Sequence, residues 1–255
     1  MTDHGPLAVI TGGARGIGLA TAHQLASQDY RVVVIDGPTS STMPYALSGT
    51  SELEAIHDER ITPRCCDVRD PDALAVVVED AIATYGPVHV AIASAGVLAG
   101  SPSSLALDQG QAREIFDVNY WGVVHLAAAT MPSLRNTQGS FIAVSSAAGT
   151  RGLPQLGHYC GSKHAIHGFL AALAREELPN GVHINVVAPG STETTLLEAT
   201  AQVYGLATAE AFLAQQLDPN LNSPRDIAQV IGFLVTTSAQ GINAAVINVD
   251  RGFIG

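Results

Sequence analysis

Charged side chains are scarce in this chain. Asp, Glu, Lys and Arg make up 14% of its 255 residues, and 47% are hydrophobic; an average soluble domain carries about 25% charge. The balance excludes an intrinsically disordered chain, which needs few apolar groups and many charges, and it implies a surface partly covered by other subunits. Basic residues are the scarcer kind: 12 against 23 acidic ones give 12 − 23 = −11. A nucleic-acid binder needs clustered Lys and Arg to displace counterions, so that class is excluded, while an anionic ligand held by backbone N–H groups is not. The three cysteines, adjacent Cys65 and Cys66 and distant Cys160, build no disulfide framework and suit a reducing compartment. Long hydrophobic runs are missing too. Stretches such as 230–235 fall far short of the roughly 20 apolar residues that span a bilayer. Residues 1–6 have no secretory pattern, so a soluble, cytoplasmic protein is expected.

What is present is alternation. Short apolar runs at 7–10, 31–35, 61–66, 88–93, 140–144, 182–187 and 245–249 are separated by longer helical patterns. Most lack polar alternation, as strands buried on both faces of a parallel sheet do. Strand–helix alternation with right-handed crossovers predicts an α/β fold: a single domain over 1–255, doubly wound and Rossmann-type, with a parallel sheet of about seven strands flanked by helices. Two segments break the rhythm. Residues 37–49, rich in Pro, Ser, Thr and Gly, read as a long loop after the second strand. Residues 191–222 insert lid-like helical material, with Ala199, Val203, Ala207, Phe212 and Leu217 as candidate apolar contacts. An insertion after a strand's carboxyl end is placed to cover a ligand.

Thr11-Gly12-Gly13-Ala14-Arg15-Gly16-Ile17-Gly18 follows a strand-like run and opens a helix. Glycines let a backbone approach a pyrophosphate, and the helix N-terminus offers unpaired N–H groups to the anion. The spacing departs from the G-x-G-x-x-G fingerprint, but the strand–turn–helix setting favours a dinucleotide over a merely structural turn. Asp36 ends the second strand, 18 residues after Gly18. A carboxylate there accepts hydrogen bonds from an adenosine ribose diol and repels a 2′-phosphate, so NAD is expected over NADP; Arg15 is the contrary residue, because a guanidinium pairs with phosphate. Asp67 ends the third strand, where it meets an adenine edge or caps a helix.

Tyr159 and Lys163 stand four residues apart in a helical run over 158–178, on one helix face. A phenol near pKa 10 is a poor proton carrier at neutral pH, and a neighbouring ammonium favours the phenolate and lowers that pKa. Ser145-Ser146, at the end of a strand, supplies a hydroxyl for a substrate oxygen.

In this order and spacing, Thr11-Gly12-x3-Gly16-x-Gly18, Asp36, Asp67-Val68, Ala95-Gly96, Asn119, Ser146, Tyr159-x3-Lys163 and Pro189-Gly190-x3-Thr194, the chain resembles the short-chain dehydrogenase/reductase family over essentially its full length. The resemblance implies an NAD(H)-dependent alcohol dehydrogenase or ketone reductase, with Asn119, Ser146, Tyr159 and Lys163 as catalytic residues. Tyr159 is then the acid/base, Ser146 orients the substrate oxygen, Lys163 holds the nicotinamide ribose and tunes Tyr159, and Asn119 supports a water in a proton relay. Ser146 is chosen over Ser145 because it lies 13 residues before Tyr159, the family's usual separation. The implied cofactor residues are Gly12, Arg15, Gly16, Ile17, Gly18, Asp36, Asp67, Val68, Ala95, Gly96, Tyr159, Lys163, Pro189, Gly190, Thr192 and Thr194, with Thr194 at the carboxamide. The family's Asn-Asn-Ala-Gly stands here as Ala93-Ser94-Ala95-Gly96. The 37–49 loop, together with Tyr159-Cys160-x2-Lys163-His164-Ala165 and Pro189-Gly190-Ser191-Thr192-x-Thr194, resembles the mycofactocin-coupled subgroup, which implies a tightly retained NAD reoxidised in place by that peptide-derived redox carrier.

A homotetramer is implied as well. The segments 112–134 and 165–178 carry Val118, Val123, Ala127 and Met131, and Ile166, Phe169, Leu170 and Leu173, over more than one narrow stripe, which reads as helix-on-helix contact between subunits. His158, His164 and His167 near Cys160 offer no zinc-ligand spacing, so no metal is expected. A non-catalytic dinucleotide sensor on the same fold is the main rival, but it has no need of Asn119, Ser146, Tyr159 and Lys163 together. An enoyl reductase is disfavoured by the short Tyr159–Lys163 separation. The segments 94–107 and 191–222, mostly small or apolar, point to a neutral, hydrophobic alcohol as substrate.

Overall fold

The computed structural model describes residues 5–37 and 41–254. Seven parallel strands form one sheet in the order β3-β2-β1-β4-β5-β6-β7. They are β1 (Leu7–Thr11), β2 (Arg31–Asp36), β3 (Ile61–Cys65), β4 (Val88–Ala93), β5 (Ser140–Val144), β6 (His183–Pro189) and β7 (Val246–Val249). The order reverses beside β1, between β1 and β4, so the crevice at the strands' carboxyl ends opens there.

The uninterrupted apolar runs follow from two cores. Leu7, Val9, Val33 and Ile35 face one side of the sheet, against α3 (Pro71–Tyr85), α5 (Gly122–Thr137) and α6 (Gly157–Glu177). Ala8, Ile10, Val32 and Val34 face the other, against α1 (Gly16–Ala26), α8 (Pro224–Leu234) and Leu53 of the short α2 (Thr50–Glu54). The two-residue period gives each face its own hydrophobic set, so every position is apolar. The edges differ. β3 carries Pro63, which an edge strand tolerates, and β7 is half exposed.

The helical pattern predicted over 112–134 is not one helix. α4 (Gln109–Phe116) runs into a π-helical turn, Asp117–Trp121, before α5 begins. Such bulges concentrate at functional sites, and this one carries Asn119. The apolar residues expected to contact other subunits are mostly used internally. Val123, Ala127, Met131, Ile166 and Leu170 are buried in the chain's own core, and Phe169 and Leu173 pack against it; Val118 is buried in a smaller cluster beside the crevice. The stripe was broad because these helices pack on the sheet and on each other. In the insertion, α7 (Thr195–Val203) and a 3₁₀ stretch at Ala209–Gln215 replace a plain loop. Ala199 and Phe212 are buried and Val203 partly so, whereas Ala207 and Leu217 are exposed and make no core contact. No helix among the described residues is long and apolar enough to cross a membrane.

Candidate active site

A cleft of about 1030 Å³ lies along the carboxyl ends of the strands. That is at the upper end of the ~300–1,000 Å³ range for small-ligand sites, roomy enough for a long ligand and a second one beside it.

The glycine turn forms one end. Gly12 adopts φ +68°, and a Cβ there would stand 2.5 Å from the backbone N of Ala95, so the β1 and β4 turns touch only because residue 12 is glycine. No side chain caps the start of α1, which leaves its first N–H groups for an anion. Asp36 Oδ2 accepts from Ala14 N–H (3.0 Å) and Oδ1 from Gly37 N–H (2.8 Å). A carboxylate has about four lone-pair sites, so capacity remains for a diol. Arg15 spends one of its donors on the carbonyl of Ala46 (3.1 Å). Asp67 does not cap a helix: Asp70 caps α3, and Asp67 pairs bidentately with Arg69 while lining the cleft.

The other end is built by β5, α6 and the π turn. Tyr159 is buried, and burial pushes its phenol up to about 12, opposed by the Ser146 hydroxyl. Lys163 is also buried, and burial lowers its ammonium to about 8. Its Nζ lies 5.8 Å from the centre of the Tyr159 ring and donates to Val144 O (3.1 Å). The expected lowering of the phenol by Lys163 is therefore absent here, because desolvation dominates both groups. Asn119 is fully buried. Its Oδ1 accepts from Val97 N–H (2.8 Å), and its Nδ2 donates to Val97 O (2.9 Å) and Ser162 Oγ (3.0 Å). Its two side-chain groups are thus oriented by partners the sequence did not single out. Behind the serine pair, Ser145 Oγ bonds His167 Nε2 (2.8 Å), and His167 is lowered to about 4 by burial and by His164 and Lys163.

The geometry fits a nicotinamide dinucleotide. A Cβ on Gly96 would point at Asn119 Oδ1 and Lys163 Nζ, 3.5 Å from each, so the backbone leaves open the space a ribose needs. Among the described residues the one acceptor of the buried ammonium is Val144 O, which leaves donors for that ribose. Thr194 faces the glycine turn across the cleft, its Cγ2 3.3 Å from where a Gly16 Cβ would lie.

The profile of the short chain dehydrogenase family matches residues 6–204. The chain belongs to that family. This short-chain dehydrogenase is 31% identical to a (-)-trans-carveol dehydrogenase of Rhodococcus erythropolis, over 97% of each chain. It is 30% identical to an NAD-dependent oxidoreductase of Mycobacterium tuberculosis, over 98% of this chain and 96% of that one. Among solved structures it superposes on a short chain dehydrogenase from Mycobacterium paratuberculosis bound to NAD, with TM-score 0.87 and 29% identity over 99% of this chain and 98% of that one. The protein is thus an oxidoreductase on a Rossmann-type fold.

Of the predicted site residues, all of Gly12, Arg15, Gly16, Ile17, Gly18, Asp36, Asp67, Val68, Ala95, Gly96, Ser146, Tyr159, Lys163, Pro189, Gly190, Thr192 and Thr194 line the dehydrogenase's cleft. Asn119 lies just behind it, through Val97. Sequence reasoning expected the loop after β2 to fold over the adenosine end but missed the contacts that hold it. Of its residues 38–40 lie outside those described, but Ser41 Oγ (2.6 Å) and Thr42 N–H (2.7 Å) donate to the buried carboxylate of Glu114 on α4, and Tyr45 Oη accepts from Leu98 N–H (3.0 Å). Burial pushes Glu114 up, but those hydrogen bonds outweigh it and hold the carboxyl below its ordinary value. Tyr45, Leu47 and Ser48 of this loop line the cleft. A lone Glu on an amphipathic helix gave no sign of this.

Proposed function

We propose that the protein interconverts an alcohol and a ketone or aldehyde with NAD, Tyr159 carrying the proton. The observation that carries this reading is the meeting of Ser146, Tyr159 and Lys163 at one end of a cleft whose other end is the uncapped start of α1 and Asp36. NAD, when bound, would supply the acceptor for the hydride that leaves the carbinol carbon. Ser146 holds the substrate oxygen. Tyr159 takes the hydroxyl proton in oxidation and returns it in reduction, while Lys163 binds the ribose and Asn119 orients a relay water. Asp36, Asp67 and Val68 hold the adenosine, the turn from Gly12 to Gly18 the pyrophosphate, and Ala95, Gly96, Pro189, Gly190, Thr192 and Thr194 the nicotinamide end. Asp36 and the engagement of Arg15 by Ala46 favour NAD over NADP. The walls beyond Tyr159, including Leu98, Leu153, Leu156 and Leu196, are apolar, which suits a neutral hydrophobic alcohol.

Retention of NAD, reoxidised in place by mycofactocin, is part of the proposal. Its support is the loop over 41–48, held by Glu114, Arg15 and Leu98, together with the 191–222 insertion; both must open for release, so affinity resides in a slow off-rate. Protein purified without added nucleotide is expected to yield NAD on denaturation and to sustain oxidation of an apolar secondary alcohol with an artificial electron acceptor alone. Turnover that needs added NAD, from protein releasing no nucleotide, would show an ordinary exchanging dehydrogenase.

Assembly as a homotetramer is proposed on other residues than the sequence suggested. Trp121 is 48% exposed and joins Tyr120 of the π turn and His125 of α5 in an aromatic patch, of the kind that marks contact surfaces. Light scattering at micromolar concentration should give four times the chain mass, and a monomeric mass refutes it.

A further inference from the structure

The segment 251–254 brings one residue, Phe253, to the cleft. After β7, Arg251 (φ 51°) and Gly252 (φ 72°) take left-handed conformations that turn the backbone back on itself. It then runs antiparallel to the insertion. Leu217 N–H donates to Gly252 O (3.1 Å), Asp218 N–H to Arg251 O (3.2 Å) and Ile254 N–H to Gln215 O (2.8 Å). The Arg251 guanidinium clips the turn to Asp218 (3.0 Å) and to Asp226 at the start of α8 (3.1 Å). The product of this turn is the placement of Phe253, 5% exposed, in the cleft wall. Its outer face carries the guanidinium of Arg151, 5.3 Å from the ring centre, and Arg151 lies five residues beyond Ser146 on the loop leaving the catalytic serine.

We infer that Phe253 is a specificity-determining residue that limits the size of the apolar group on the substrate. The inference rests on the reading of this cleft as an alcohol site. A flat ring gripped between the insertion and the loop after Ser146 cannot swing aside without breaking the Arg151 contact and the backbone pairing. It offers no hydrogen bond, so it selects by shape. Its neighbours are Arg151, on the loop after Ser146, and Gln216 of the insertion, neither of them among the residues assigned to the dinucleotide, so its effect is assigned to the substrate. In a fitted apolar wall one methylene is worth about 10- to 200-fold in discrimination. Phe253 also lies outside every strand and helix, so changing it leaves both sheet cores intact.

The test uses the full-length protein with NAD(H) and a series of 2-alkanols of increasing chain length, for wild type, Phe253→Ala and Phe253→Trp. Both kcat/KM and calorimetric affinity are measured. Phe253→Ala should raise the long-to-short preference by about tenfold or more, and Phe253→Trp should lower it similarly, with nucleotide affinity unchanged in both. Opposite shifts cannot come from a loosened tail, which would move both variants the same way; a common direction, or an unmoved preference with turnover intact, overturns the role of Phe253 and leaves the alcohol reading standing. Opposite shifts in affinity without turnover in any of the three proteins would support the role of Phe253 and refute the alcohol reading instead.

Discussion

Tyr159→Phe is expected to lower turnover of an alcohol substrate by at least about a hundredfold while nucleotide binding survives. The ring is buried among Leu98, Ala148, Leu156 and Cys160, so phenylalanine keeps the packing and removes the hydroxyl that bonds Ser146. Cofactor affinity should hold because Asp36 and the glycine turn lie at the other end of the cleft. Steady-state rates and a nucleotide titration on the same preparation check both halves. Near-normal turnover in the variant would remove Tyr159 from its role.

Lys163→Met is expected to abolish most activity, by about a hundredfold, and yet to stabilise the fold at neutral pH. Burial lowers the ammonium from 10.5 to about 8, and each pKa unit corresponds to about 1.4 kcal/mol. Below pH 8 both the folded and unfolded chains hold the proton, so the full cost of burying the charge, roughly 3 kcal/mol, falls on the native state. Between 8 and 10.5 the unfolded chain holds the proton and the folded one does not, so stability climbs with pH. Above 10.5 the cost is gone. Methionine fills a similar volume but leaves Val144 O without its partner, at about 1–3 kcal/mol. The net gain should lie between about 0 and 2 kcal/mol at pH 7 and should vanish or reverse above pH 10.5, as read by urea unfolding at both pH values. A variant less stable than wild type at pH 7 would mean that the Val144 bond outweighs the buried charge.

Much of this was legible in the sequence because strands and glycine turns leave local signatures. The runs at 7–10, 31–35 and 88–93 are apolar at every position because both faces are covered, and Gly12 and Asp36 sit where the strand ends put them. Tyr159 and Lys163 share a face by helical period alone. Less legible were features set by tertiary contact. The π turn at Asp117–Trp121 depends on Asn119 finding Val97 and Ser162, partners far away in sequence. The broad stripe on α5 and α6 was misread as a subunit surface because burial by the chain's own sheet and burial by a partner leave the same pattern. The grip of Glu114 on Ser41 and Thr42, and the return of Phe253 to the cleft, join segments 73 and 37 residues apart, and neither carries a local motif. Likewise, the sequence paired Lys163 with Tyr159 by charge, whereas in the folded chain desolvation sets the direction in which each group shifts.

The central claim, hydride passage between a carbinol carbon and NAD with Tyr159 taking the proton, is tested most directly by isotope. Wild type and Tyr159→Phe are incubated with NAD and apolar secondary alcohols deuterated at the carbinol carbon, and the nucleotide is recovered for mass analysis. The account predicts reduced nucleotide carrying deuterium from wild type, and at most a trace over the same time from the variant. Recovery of only oxidised, unlabelled nucleotide from wild type across the panel, or equal labelling by the two proteins, would contradict it.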